Sequence, residues 1–327
     1  MTFPINAYLA ALLGSFLVTL VALPLWRARC IRTGHVDDPG HRKIHDRPIA
    51  LAGGLAVLTG ILVPVLGSML LLQSGGWLGT GLPEIQHGLG RRGLQLAAIL
   101  AGSTGMVVLG WLDDRHELRA SAKFAGQVLI AVLVATAGVR ITLFVENAAF
   151  SYVMTVFWIL AAVNALNFMD NMNGLCTGLG AIGAASFACI AVLHGQYLVA
   201  ILCLLTCGAL LGFLPFNYPA ASAFLGDAGS HLVGFLLGVL AILPDFYSTK
   251  HPKTWAVFTP LLILAVPLLD MAWVVWRRWQ RGQPFYVGDT THLSHRLTQR
   301  GLSKAQAVAL IWALAAVCGG AAVWLNR

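Results

Sequence analysis

The stretch QLAAILAGSTGMVVLGWLDDRHE, residues 95–117, decides the fold class. Its first eighteen residues carry no charge, a length that suits the hydrocarbon core of a bilayer, and the run stops on two adjacent aspartates, Asp113 and Asp114. It reads as a membrane span with a charged end. Comparable stretches at 8–26, 51–73, 122–139, 149–168, 178–194, 196–214, 231–244, 255–276 and 304–325 bring the count to ten transmembrane helices. Eleven is the alternative, because glycine and proline blur the boundaries around His194 and the short eighth stretch. The expectation is an all-α, polytopic transmembrane helix bundle, forming a single integral membrane domain over residues 1–327. The first stretch lacks a basic n-region and a small-residue cleavage site, so it is expected to be a retained helix.

Composition agrees. Hydrophobic residues make up 58% and charged residues 10% of the chain, against about 25% charged in an ordinary soluble domain. Of the six cysteines, four sit inside apolar stretches and none forms a CxxC pair, which points away from zinc and from a disulfide framework.

If the helices alternate in direction, loops 27–50, 113–123, 170–177, 215–230 and 277–304 share one face. Fifteen of the 21 Lys and Arg residues fall there, which makes that face cytoplasmic by the positive-inside rule. The net charge of +8 therefore reports topology and membrane lipids, not nucleic acid. Ten of the 13 acidic residues lie in or beside the same loops. Positive-inside does not explain those acids, and carboxylates converging at one membrane level suggest a site.

Several constellations make up that cluster. Asp113 and Asp114 sit at a helix C-terminus, where acids oppose the helix dipole, an arrangement suited to metal binding or deprotonation rather than stability. Asn164, Asn167 and Asp170 recur every third residue and share a helical face, placing two amides beside a carboxylate that could bind a ligand or a hard cation. Interhelical amide bonding competes with that reading, most strongly for Asn164. In FLGDAGSHLVG, Asp227 stands between glycines just before the eighth helix, where free backbone N–H groups favour phosphate. The first basic loop offers Arg42, Lys43 and His45, and the last offers His292, His295 and Arg296, three residues that share a face if helical.

Taken in order, these stretches resemble the polyprenyl-phosphate N-acetylhexosamine-1-phosphate transferases, the glycosyltransferase 4 family, over about residues 36–302. The resemblance rests on Asp37, Pro39, Arg42, Lys43, His45, Gly53 and Gly54; on Asp113 and Asp114; on Asn164, Asn167, Asp170, Gly174 and Leu175; on Gly226, Asp227, Gly229 and Ser230; on Asp270; and on His292, His295 and Arg296. The first loop looks more like the bacterial UDP-GlcNAc branch than the muramyl-pentapeptide branch. Departures occur at Asn171 for a family Gly, Asn173 for a second Asp, Ser294 within an H-x-H-H pattern, Thr290 for Arg and Ala50 for Pro.

The resemblance implies transfer of GlcNAc-1-phosphate from a UDP-N-acetylhexosamine to undecaprenyl or another polyprenyl phosphate, releasing UMP and starting a cell-envelope glycan at the inner or plasma membrane. It implies Mg2+, with Mn2+ as a substitute, held by Asp227 with Asn167 assisting. Catalytic roles fall to Asp113, Asp114, Asp170, Asp227, His292 and His295. Substrate contacts fall to Arg42, Lys43, His45, Asn164, Arg296 and, at the uracil, Asn173. A homodimer is left open. Phospho-MurNAc-pentapeptide transfer is the alternative within the family, and an anionic-metabolite transporter the alternative outside it, though a transporter would place its polar groups near the midplane in broken helices.

Overall fold

A computed structural model describes residues 3–38, 48–73, 82–143, 145–246, 253–284 and 291–327. Every apolar stretch identified in the sequence is helical: α1 (Ile5–Thr33), α2 (Gly53–Gln73), α3 (Leu82–His116), α4 (Ala120–Thr136), α5 (Ala148–Phe168), α6 (Leu175–Leu193), α7 (Tyr197–Asn217) and α8 (Gly226–Leu240) come first. A 3-10 turn (Thr254–Phe258), α9 (Thr259–Ile263), α10 (Ala265–Gln280), the short α11 (Leu293–Gln299) and α12 (Lys304–Leu325) follow.

Seven of these helices are long and apolar enough to cross a membrane, so the chain is a multi-pass membrane protein. An eighth span results if the segments 254–263 and 265–280, bent by 70° at their junction, are counted as one. The expected count of ten or eleven is not confirmed among the described residues by length and composition. Two further apolar helices are shorter, α4 with 17 residues and α8 with 15, about 26 and 22 Å of helix against a hydrocarbon core of about 30 Å. In α8 every residue except Asp227 is buried. A helix apolar all round belongs in a core, and α8 packs against α2, α3, α5 and α6 as the central element. The outer helices show the opposite pattern. On α1, Leu13, Leu17, Val21 and Leu25 recur every fourth residue and are all exposed, a lipid-facing stripe.

The all-α expectation needs one addition. A three-stranded sheet joins β1 (Val36–Asp37), β2 (Ile49–Leu51) and β3 (Ala223–Phe224), with β1 antiparallel and β3 parallel to β2. It fastens the start and end of the first basic loop to the segment that leads into α8. The loop residues between the strands that carry candidate roles, Arg42, Lys43 and His45, lie outside the described residues.

Candidate active site

The C-terminal ends of α3 and α5 meet the N-terminal ends of α4 and α8. Lys123, in the first turn of α4, places its ammonium 2.7 Å from Asp113 Oδ2 and 2.6 Å from Asp227 Oδ2. Asp227 Oδ1 accepts a hydrogen bond of 2.8 Å from Asn167 Nδ2, which also donates to Ser230 Oγ at 2.9 Å. Asp113 Oδ1 accepts the Leu118 N–H at 2.9 Å, which closes the short link between α3 and α4. The side chains of Asp113, Lys123 and Asp227 retain 11, 19 and 32% of their surface, enough for a ligand to reach the array.

Asp114 has a different task, as expected for neighbours that cannot share a helical face. Its Oδ1 accepts the Asp227 N–H at 2.9 Å and its Oδ2 the Ala228 N–H at 3.2 Å. It thereby caps α8 from another helix, where a carboxylate favours the positive end of the helix dipole. That cap also accounts for a boundary the sequence misplaced: α8 starts at Gly226, so Asp227 lies in its first turn instead of before it. The approach demands glycine. A Cβ on Gly110 would lie 2.4 Å from backbone atoms of Asp227 and Ala228, and one on Gly54 would lie 2.5 Å from Gly229 N.

Asp170 follows the end of α5. Its carboxylate has no hydrogen-bond or ion-pair partner among the described residues, and burial, together with the charges of Asp227 and Asp114, pushes it up to about 8. Asp113 and Asp227 share Lys123 and Asp114 takes two backbone N–H groups, whereas Asp170 has neither kind of partner among the described residues. No three His, Cys, Asp or Glu residues among those described form a ready-made metal cage. The oxygen donors nonetheless fit Mg2+, which is usually held by one or two carboxylates plus substrate phosphates. Asn167 Oδ1, which accepts no hydrogen bond among the described residues, is a further oxygen of that kind.

The last loop forms a second wall. Asp270 is buried on α10; its Oδ2 lies 2.7 Å from His292 Nδ1 and its Oδ1 accepts the Leu293 N–H at 2.6 Å. A carboxylate at Nδ1 fixes the proton there and leaves Nε2 for a ligand. His292 packs edge-on against Phe168 at 5.6 Å, with the His295 ring 6.3 Å away, and the Arg278 guanidinium covers the Phe168 ring at 5.1 Å. Arg296 stacks on Trp273 at 5.1 Å. Ser294 Oγ donates to Asn171 Oδ1 at 2.7 Å, so two of the departures from the family pattern touch each other and join this wall to the loop of Asp170.

Two expected residues already hold protein partners. Asn164 Nδ2 donates to Gln127 Oε1 at 2.9 Å and to the Leu160 carbonyl, so its amide links α5 to α4 below the charged array. Asn173 Nδ2 donates to the Pro219 carbonyl at 3.2 Å, which commits half of its amide to the α7–α8 connection. Sequence reading also missed Lys123. A single lysine opening an apolar helix reads as a topology signal, and only its two partners reveal it as the counter-ion of the site.

A family model described as glycosyl transferase family 4 matches residues 96–245, which contain the whole array from Asp113 to Ser230. The chain is 30% identical to a probable undecaprenyl-phosphate N-acetylglucosaminyl 1-phosphate transferase of Bacillus subtilis, over 97% of this chain and 86% of that protein. It is 32% identical to the decaprenyl-phosphate N-acetylglucosaminephosphotransferase of Mycolicibacterium smegmatis, over 92% and 77% of the two chains. With the undecaprenyl-phosphate alpha-N-acetylglucosaminyl 1-phosphate transferase of Salmonella typhi the identity is 30%, over 96% and 83%. Similarity on that scale, along nearly the full length of the chain and centred on the charged array, establishes that the chain belongs to glycosyl transferase family 4.

Proposed function

We propose that this protein transfers N-acetylglucosamine-1-phosphate from UDP-N-acetylglucosamine to undecaprenyl phosphate or a similar polyprenyl phosphate, releasing UMP, in a Mg2+-dependent reaction at the cytoplasmic face. The observation that carries the reading is Lys123 clamped between Asp113 and Asp227 at the ends of membrane helices, beside the uncompensated Asp170. A water-soluble nucleotide and a lipid-borne phosphate can meet only at such a level. The names of the relatives support the sugar and the class of acceptor. The concentration of fifteen of the 21 basic residues on the loops of this end supports the orientation.

Phosphoryl transfer between anions needs positioning and charge neutralisation more than covalent help. When bound, Mg2+ would neutralise the donor diphosphate, with Asp227, Asp170 and Asn167 Oδ1 as its protein ligands. Lys123 holds Asp113 and Asp227 in register, and its ammonium is placed to exchange a carboxylate for a phosphate oxygen as substrate arrives. Asp113 takes the acceptor side, orienting the lipid phosphate or accepting its remaining proton. Asp114 acts indirectly, by fixing the first turn of α8 that presents Asp227. His292, oriented by Asp270, and Arg296, on its tryptophan platform, contribute donors for diphosphate or sugar.

The test is incubation of purified protein with undecaprenyl phosphate, Mg2+ and a panel of UDP-sugars, reading UMP release and lipid mass. UDP-N-acetylglucosamine should give UMP and the matching lipid diphosphate-sugar, and UDP-MurNAc-pentapeptide should give neither. Turnover of the muramyl donor alone would replace this reading with its closest alternative.

A further inference from the structure

On the flank of α3 next to the array, a cavity of about 380 Å³ opens between α1 and α3, above α2, which packs against both. That volume lies in the range of small-molecule sites. Trp26, Leu55 and Trp111 give it an apolar lining, while Arg29, His35 and Arg115 supply nitrogen donors. The Trp26 indole N–H is already satisfied by Thr59 Oγ1 at 2.9 Å, so its ring serves as wall. Arg115 lies over the Trp111 ring at 5.6 Å, and the His35 ring lies 5.5 Å from the same indole.

Two observations point to an anionic ligand. Neither Arg29 nor Arg115 takes part in any of the ion pairs formed among the described residues, which involve Lys123 and His292. His35, only 4% exposed, lines the cavity with its Nε2 lacking a hydrogen-bond partner among the described residues. A buried nitrogen left unpaired is costly, and a bound acceptor removes that cost. Burial first, and the Arg115 charge second, lower the His35 imidazole below its usual range. The two guanidiniums therefore carry the positive charge, and His35 adds a neutral N–H.

We infer that this groove binds the phosphate of an anionic glycerophospholipid of the same leaflet, with one acyl chain against Leu55 and the two tryptophans. Tryptophan at headgroup level with arginine above apolar side chains is the usual composition of a lipid interface. Two arginines with no carboxylate among the described lining residues favour a net anionic headgroup and disfavour one that also carries an ammonium. A resident lipid fits better than the reacting one. Both oxygens of Asp114 turn to α8, and Gly110 lies directly against the α8 backbone, so α3 stands between the groove and the array.

The experiment is native mass spectrometry of the full chain, purified and delipidated in detergent, then titrated with phosphatidylglycerol or with phosphatidylcholine of the same acyl chains. Wild type should retain one phosphatidylglycerol and release phosphatidylcholine. The double variant Arg29→Gln, Arg115→Gln should bind phosphatidylglycerol at least about tenfold more weakly, since each lost charge-assisted bond is worth about that factor. Both arginines are exposed, so this variant keeps the fold. Val108→Trp, which fills the groove from the half-exposed Val108 without touching either charge, should weaken binding similarly. Unchanged retention by these variants, or equal retention of phosphatidylcholine, overturns the proposal. So does one-for-one displacement of phosphatidylglycerol by undecaprenyl phosphate, which would hand the groove to the acceptor lipid.

Discussion

Helices α4, α5 and α8 build two polar layers, one turn apart, from equivalent positions. The outer layer joins Lys123, Asn167 and Asp227; the inner joins Gln127, Asn164 and His231, with Asn164 bonded to Gln127 and Gln127 Nε2 lying 3.4 Å from His231 Nε2. Lys123 and Gln127 are four residues apart, as are Asp227 and His231, so each pair lies on one helical face. The outer layer is charged and reachable. The inner is only amide and imidazole, with Gln127 1% and His231 0% exposed. One helical turn of depth separates residues that can meet a charged substrate from residues that can only hold helices together, because an uncompensated charge deeper in the bundle costs far more than an amide.

Variants can break or sharpen that contrast. Asp227→Asn removes the carboxylate shared by Lys123 and Asn167 and should lower kcat by about 10^2–10^3-fold, the range for deleting one preorganised electrostatic contact. Its thermal midpoint should stay near wild type, since the amide can still accept from Asn167. Normal Mg2+-dependent turnover in a folded variant would remove Asp227 from the mechanism.

Lys123→Met should lower kcat by about 10^2-fold and also reduce stability, because Asp113 and Asp227 then face each other without a cation. Added Mg2+ should recover part of the stability but not the rate. Equal recovery of both would mean that Lys123 acts only as a structural counter-ion.

Asp170 offers a pH test. The folded carboxyl keeps its proton up to about 8, whereas an unfolded aspartate ionises near 3.9. Ionisation therefore opposes folding, and without a cation the chain should lose stability as pH rises from about 4 to about 8. In EDTA the midpoint of wild type should fall below that of Asp170→Asn increasingly from pH 5 to pH 9, and excess Mg2+ should close the gap. A gap independent of both pH and Mg2+ is the contrary result.

The smallest effect is expected at Asn173. One of its two Nδ2 hydrogens goes to the Pro219 carbonyl, which leaves the other N–H to donate to a uracil carbonyl and Oδ1 to accept from the uracil N–H. Asn173→Ala should raise KM for the UDP-sugar by about two- to twelvefold, the worth of one neutral hydrogen bond, with kcat nearly unchanged. An unchanged KM with a lowered midpoint would leave Asn173 as a loop brace.

Much of this was legible in the sequence. The apolar stretches located every major helix, because hydropathy over about 20 residues needs no knowledge of neighbours. What hydropathy could not supply was whether α4 and α8 span a bilayer or fill the core, since both fates suit an apolar helix of 15–17 residues. Strands of two or three residues leave no periodic signal, so the sheet beneath the first loop was invisible. Within the site, Asp113, Asp114, Asn167 and Asp227 stood out as polar groups at ends of apolar runs, and the structure brings them together. Asn164 stood out equally and belongs to the inner layer, because residue type cannot tell which tertiary neighbour an amide meets. The cap that Asp114 places on α8 and the isolation of Asp170 are likewise tertiary facts.

The most direct test of the two-layer account uses the same substitution twice on one helix: steady-state kinetics and thermal midpoint for Asn167→Ala and Asn164→Ala, prepared side by side. The account predicts that Asn167→Ala loses at least about tenfold in kcat, the cost of one hydrogen bond to a charged group, with a midpoint close to wild type. It predicts that Asn164→Ala keeps kcat within a few-fold and loses stability, by about 0.6–1.7 kcal/mol for an interhelical bond in a membrane bundle. Equal loss of activity in both variants, or loss of activity only in Asn164→Ala, would contradict it.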